Sequence, residues 1–258
     1  MRIDTGIGTV YVEVDGAGPP ALLWHSLFLD ARQWDRVRAT LGAHRTLVLL
    51  DGPGHGRAGR PPRRFGFDDC ADAAAQVLRA LDLGPEVDWV GNAWGGHVGY
   101  AFAARHAIRS LVAIAAPPTP LPPAQRRRIA LLTAAFRVAG ARPLTGPVVD
   151  ALLSPTVDAD TTTLVREAFR GGDRVGMHRV MRSMMLARPD LSERLDRIGV
   201  PTLLIAGAED PMWTSERAAR AATGLVDGRV VTIPGAGHIP PLERPAETAA
   251  AILELWKA

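Results

Sequence analysis

Three stretches of this 258-residue sequence carry residue types that could do chemistry together. The first, Val87-Asp-Trp-Val-Gly-Asn-Ala-Trp-Gly-Gly96, has glycine two residues before and two after Ala93. Glycines at those offsets let the backbone pack closely around one sharply turned residue at a strand-to-helix junction. That is the steric signature of a nucleophile elbow, whose central side chain is ordinarily serine. Here it is alanine, which has no hydroxyl to attack a carbonyl. The second stretch, Pro201-Thr-Leu-Leu-Ile-Ala-Gly-Ala-Glu-Asp210, ends an apolar run in a pair of acids, of which Asp210 is the expected partner of a histidine and Glu209 its competitor. The third, Ile233-Pro-Gly-Ala-Gly-His238-Ile-Pro-Pro, presents an imidazole on a glycine-rich loop. The chain order of nucleophile position, acid and histidine assigns Asp210 to orient the ring and His238 to act as general base. A glycine-spaced turn alone would also fit an ordinary strand-to-helix connection; the other two stretches separate the cases.

A developing oxyanion needs two N–H donors. The residue after the nucleophile position, Trp94, supplies one, and the segment Trp24-His25-Ser26-Leu27 supplies the other, with Leu27 as the expected donor. Ser26 places a hydroxyl there that could donate to the oxyanion or cap the turn, and His25 and Ser26 are both expected to face substrate. In Asp51-Gly-Pro-Gly-His55-Gly-Arg, Asp51 and His55 are read as fixing a turn rather than doing chemistry.

These residues require a sheet to hold them. Short, largely unalternating apolar runs at 21–24, 46–50, 87–90, 111–115, 202–206 and 230–233 read as strands buried on both faces. Helical stretches at 31–41, 68–81, 95–106, 215–223 and 246–256 alternate with them, predicting a mostly parallel sheet flanked by helices. The alternation of Val10, Val12 and Val14, ending at Asp15-Gly-Ala-Gly18, predicts an antiparallel hairpin that opens the sheet. From Pro118 to about residue 196 only helical patterns occur, at 124–138, 148–153, 161–170 and 175–186. This predicts a core in two parts, 1–117 and 197–258, interrupted by a helical cap at 118–196.

The five motifs, in this order, resemble the α/β-hydrolase superfamily, especially small capped esterases and lactonases of the 3-oxoadipate enol-lactonase type, over nearly the whole chain. The resemblance implies an α/β-hydrolase fold and hydrolysis of an ester or lactone in a pocket between sheet and cap. Two departures stand out. The oxyanion loop has His25-Ser26 where His-Gly is usual, and Ala93 closes the covalent route, a loss that typically costs about a million-fold in turnover. Either the alanine was introduced to trap substrate in a serine hydrolase, or it is native. If native, Asp210 and His238 could still move a proton in cyclisation, elimination, hydration or isomerisation. A ligand-binding or signalling protein that kept the fold and lost the reaction is a third reading.

Composition narrows the field. Hydrophobic residues make up 47% of the chain, enough for a sizeable core, and no apolar stretch approaches a membrane span. The chain begins without a signal-peptide pattern, so a cytoplasmic protein is expected. Cys70 is the only cysteine, and the net charge of +3 with one basic run, Arg126-Arg127-Arg128, does not imply nucleic acid. Within the cap, Met177, Met181 and Met184 fall at helical spacing, and with Phe136 and Trp213 they read either as core packing or as a soft apolar pocket wall. His97 and His178 lack metal-ligand spacing, and Gly16 and Gly18 lack a phosphate-loop context. No cofactor or metal is expected. The expected partner is a small-molecule substrate, with no nucleic acid and no membrane, and a homodimer is admissible.

Overall fold

The computed structural model describes residues 1–84 and 86–257. Within them, eight strands form one sheet: β1 (Arg2–Thr5), β2 (Gly8–Gly16), β3 (Pro20–Trp24), β4 (Thr46–Asp51), β5 (Asp88–Asn92), β6 (Ser110–Ile114), β7 (Thr202–Gly207) and β8 (Gly228–Ile233). Their order is β1-β2-β4-β3-β5-β6-β7-β8. The β1–β2 and β2–β4 pairs are antiparallel, and every other pair is parallel. The mostly parallel sheet is therefore as expected, and its burial explains the sequence: every residue of β5, β6 and β7 is buried, so these strands have no polar face to alternate with. The opening hairpin turns earlier than Asp15-Gly16-Ala17-Gly18. Its partner strand β1 precedes the valines, with Thr5 opposite Gly8, and Gly18 instead leads into β3.

Among the described residues, ten α-helices accompany the strands: α1 (Asp35–Gly42), α2 (Phe67–Ala80), α3 (Trp94–Ala103), α4 (Pro123–Ala139), α5 (Thr145–Leu152), α6 (Ala159–Gly171), α7 (Arg174–Val180), α8 (Ser215–Ala222), α9 (Pro240–Glu243) and α10 (Pro245–Lys257). α1 packs with α10 and α2 packs with α3, flanking the sheet, while α8 lies along β7 and β8. Helices α4 to α7 all fall between β6 and β7, the interval of the expected cap.

Local chemistry sets the boundaries. Asp158 caps α6 by accepting from the Thr161 N–H at 2.7 Å, and Asp173 caps α7 by accepting from that of Gly176 at 2.6 Å. Pro123 starts α4, where its missing N–H costs nothing, and Gly140 ends it at φ 74°. Two helical expectations need amendment. Residues 31–34 form a tight 3₁₀ turn before α1, because the Asp51 carboxylate accepts from the Ala31 N–H at 2.7 Å and Asp30 caps the turn. The expected 175–186 helix changes character at Met181, where α7 passes into a π-helical turn, Met181–Leu186.

Candidate active site

Ala93 stands between β5 and α3 at φ 47°, ψ −100°, a positive-φ conformation that a non-glycine residue adopts only under constraint. Its N–H donates to the Ile114 carbonyl at 2.7 Å, and its carbonyl accepts from the His97 N–H at 2.9 Å. The flanking glycines are sterically required. A Cβ on Gly95 would lie 2.0 Å from the Trp24 carbonyl oxygen, and one on Gly91 would lie 2.2 Å from the Gly95 backbone. The tight turn therefore follows from close approach of three backbone segments around position 93.

Asp210 follows β7 and His238 follows β8, which brings both to the edge where β5 delivers Ala93. The His238 ring contacts the Asp210 carboxylate through Nδ1 at 2.7 Å, leaving Nε2 as the nitrogen available for proton transfer. The other Asp210 oxygen accepts from the Met212 N–H at 2.8 Å. Burial pushes the Asp210 carboxyl up, but the His238 charge, its hydrogen bond and the amides of Met212 and Trp213 outweigh burial and hold it below the usual carboxylate range. Asp210 is thus kept ionised behind the ring that it orients.

Ala93, Trp94, Ser26, Leu27 and His238 line one cavity of about 440 Å³. The N–H groups of Leu27 and Trp94 find no acceptor among the described residues, as a pair of oxyanion donors requires. That of Ser26 is already committed to the Gln33 side chain at 2.8 Å. Its hydroxyl makes only a long contact, 3.4 Å, with the Leu27 carbonyl.

The remaining expected contacts lie behind the cavity wall. The His25 Nδ1–H donates to the Ser26 carbonyl at 2.7 Å, its Nε2 accepts from the Gly52 N–H at 2.9 Å, and burial pushes the ring below its ordinary pKa. It is a neutral, fully buried brace of the Ser26–Leu27 turn and does not line the cavity, whereas the sequence places it facing substrate. His55 is held in the same tautomer, donating to the Pro53 carbonyl at 3.0 Å and accepting from the Phe28 N–H at 3.3 Å. Asp51 fixes its turn through the N–H groups of Ala31 and Arg57 at 2.7 and 2.8 Å. Phe136 packs on Phe169, and Met177 and Met181 are fully buried without reaching the cavity, whereas Met184 and Met185 line it. Trp213 is buried outside the wall and serves through its backbone amide. Glu209, the competitor of Asp210, is exposed.

Three positioning residues escape the sequence reading. Glu243, buried in α9, accepts from the N–H groups of Gly237 at 3.0 Å, Ile239 at 3.0 Å and Ser154 at 2.7 Å, gripping the chain on both sides of His238. The His238 N–H itself donates to the Leu152 carbonyl at the end of α5 at 2.8 Å, which ties the histidine loop to the cap. Asn92 donates to the His238 carbonyl at 3.2 Å and accepts from Gln33 at 3.0 Å. Asn92 lies within the elbow motif and could have been found there. Nothing in sequence separates Glu243 from a surface glutamate.

Among the described residues, no three or more His, Cys, Asp or Glu gather as a metal site, and no helix is long and apolar enough to cross a membrane. A family model described as the alpha/beta hydrolase family matches residues 21–251. The 2-(acetamidomethylene)succinate hydrolase of Mesorhizobium japonicum is 26% identical over 251 residues, covering 92% of this chain and 87% of that protein. Among solved structures, a thermophilic esterase from Thermogutta terrifontis superposes with a TM-score of 0.92 at 24% identity, covering 100% of this chain and 97% of that one. The enol-lactonase from Burkholderia xenovorans LB400 gives 0.89 at 21% identity, with full coverage of both chains, 100% and 100%.

Proposed function

Because this chain belongs to the alpha/beta hydrolase family, we propose that its cavity receives a small to medium, largely apolar ester or lactone and that Ala93 occupies the place of the nucleophile. The observation that carries this reading is the His238–Asp210 pair, 2.7 Å apart, on a cavity also lined by the strained Ala93 and by Leu27 and Trp94.

With serine at position 93, the mechanism would be acyl transfer. The hydroxyl would attack the carbonyl carbon while His238 Nε2 took its proton, and the N–H groups of Leu27 and Trp94 would receive the oxyanion. His238 would then return the proton to the leaving alcohol, and water would cleave the acyl-enzyme. With alanine there is no oxygen to acylate, so the chain binds its ester and turns it over poorly. The test compares this chain with Ala93→Ser on activated esters and with a fluorophosphonate probe. Gain of both turnover and labelling supports the reading; a folded Ala93→Ser variant inert to both overturns it.

One observation favours a second reading. The base and all its supports, Asp210, Glu243 and Asn92, remain in hydrogen-bonded order beside a methyl group. Such a base can still take a proton from water or from a carbon acid next to a carbonyl, which is catalysis without a covalent intermediate. A reaction of the unaltered chain that His238→Ala abolishes and Ala93→Ser does not improve would favour it.

A further inference from the structure

A second pocket, of about 520 Å³, shares no lining residue with the cavity that holds Ala93. It lies where the loop before α2, the start of α4 and the π turn meet, and three arginines, Arg64, Arg126 and Arg182, converge on it. Arg126 belongs to the basic run 126–128, whose Arg128 turns to the other cavity instead. All three arginines are exposed, and none meets a carboxylate among the described residues; the Arg126 Nε reaches only the Leu186 carbonyl, at 3.4 Å. Asp69 is the one acid in this wall. Its two oxygens are already taken, by the Arg63 guanidinium at 2.9 Å and the Gly66 N–H at 2.7 Å.

Ser183 supplies an independent observation. It lines this pocket at 7% exposure, and its hydroxyl is buried without a hydrogen-bond partner among the described residues. A buried hydroxyl left unpaired costs free energy that a bound acceptor recovers. Three guanidinium groups and one hydroxyl form a donor set carried by three separate segments. The two coplanar oxygens of a carboxylate match a single guanidinium fork, whereas the tetrahedral oxygens of a phosphate can take donors from several directions at once. The pocket is larger than a bare phosphate, and Phe65 and Leu186 offer apolar wall to whatever carbon the group carries.

We propose that this second pocket seats a phosphate group, free or carried by a small phosphomonoester, and that its occupancy is transmitted to the Ala93 cavity through the π turn. The turn is the wall between them: Ser183 and Leu186 line the second pocket, while Met184 and Met185 line the first. Helix α4 is divided in the same way, giving Arg126 to one and Gln125 and Arg128 to the other. A phosphate that draws the Arg182 side chain and the Ser183 hydroxyl toward itself pulls on the segment from which the two methionines project, so the two sites are coupled reciprocally. This goes beyond the ester or lactone reading and does not rest on it.

Calorimetric titration of the unaltered chain with inorganic phosphate, glycerol 3-phosphate and acetate tests the site, and methionine-methyl NMR tests the coupling. At low ionic strength one of the two phosphates should bind with a Kd of about 1 mM or tighter, and about tenfold more tightly than acetate. Whichever is tighter says whether the free ion or a phosphomonoester is the source. Arg64→Gln, Arg126→Gln and Arg182→Gln should each weaken binding about fivefold, and Ser183→Ala about threefold without lowering the thermal midpoint, because the hydroxyl it removes is unpaired. The methyl resonances of Met184 and Met185, assigned through Met184→Leu and Met185→Leu, should move as the phosphate is added. No binding, binding no tighter than that of acetate, or binding that survives in all three arginine variants or in Ser183→Ala overturns the site. Binding lost in Arg217→Gln instead places the anion in the Ala93 cavity and overturns it as well. Saturable binding that leaves both methionine resonances unmoved overturns the coupling.

Discussion

Glu243 holds His238 by its neighbours: one carboxylate oxygen accepts from the Gly237 N–H and the other from that of Ile239, both at 3.0 Å, so the imidazole hangs from a clamped loop. Glutamine is nearly isosteric but presents an NH₂ group to at least one of these donors. Glu243→Gln should therefore cost about 2 kcal/mol through an unsatisfied buried N–H. The thermal midpoint should fall by several degrees, and in an Ala93→Ser background kcat should drop more than KM rises. An unchanged midpoint and kcat would show that the clamp is dispensable.

The backbone at Ala93 predicts an inverted glycine effect. At φ 47°, relief of strain by Ala93→Gly, on the order of 1–3 kcal/mol, should exceed the extra entropy that glycine loses on folding, roughly 0.5–1 kcal/mol. Differential scanning calorimetry should show the variant melting slightly higher than the parent; a clear drop would mean that the turn is unstrained.

Two residues away, the opposite holds. Gly95→Ala forces a methyl against the Trp24 carbonyl, 2.0 Å away, where the contact is backbone and cannot rotate aside. Destabilisation of at least about 3 kcal/mol is expected from overpacking. Chemical denaturation measures it, and a variant as stable as the parent would contradict the packing described for the elbow.

Buried histidines set the acid limit. Burial, with repulsion from His25 wherever that ring is protonated adding to it, pushes His55 down from 6.5 to about 3, and His25 and His97 shift in the same direction. An unfolded chain takes up these protons near pH 6.5 while the folded chain resists them. Stability is thus full above about 6.5, declines as pH falls through that window, and for His55 the loss is complete below about 3. Thermal midpoints between pH 7 and 4 should fall, and His55→Gln should flatten the slope. A parallel slope in the variant would assign the acid sensitivity elsewhere.

The sheet and the elbow are legible in sequence because both are written in short-range steric terms: apolar runs buried on two faces, and glycines wherever backbones touch. Asp210 and His238 are legible because strand ends bring them to one edge. The cavity wall is not. Met177, Met181 and Met184 share a face only if the helix stays regular, and the π turn from Met181 breaks that phase, so Met184 reaches the cavity while the other two pack behind it. His25 misleads differently: it immediately precedes the cavity-lining Ser26 and Leu27, but both of its ring nitrogens are consumed by backbone.

The bond from the His238 N–H to the Leu152 carbonyl, together with the Glu243 bond to Ser154, gives the cap a mechanical meaning. Lifting the end of α5 off the sheet would drag the loop that aims the imidazole away from Asp210. If His238 is the base, this corner of the roof could not serve as a swinging door without disarming it. Under the proposed mechanism, ligand would pass by the parts of the cap that are not stitched to the histidine loop, and His238 would transfer protons only with this corner in place.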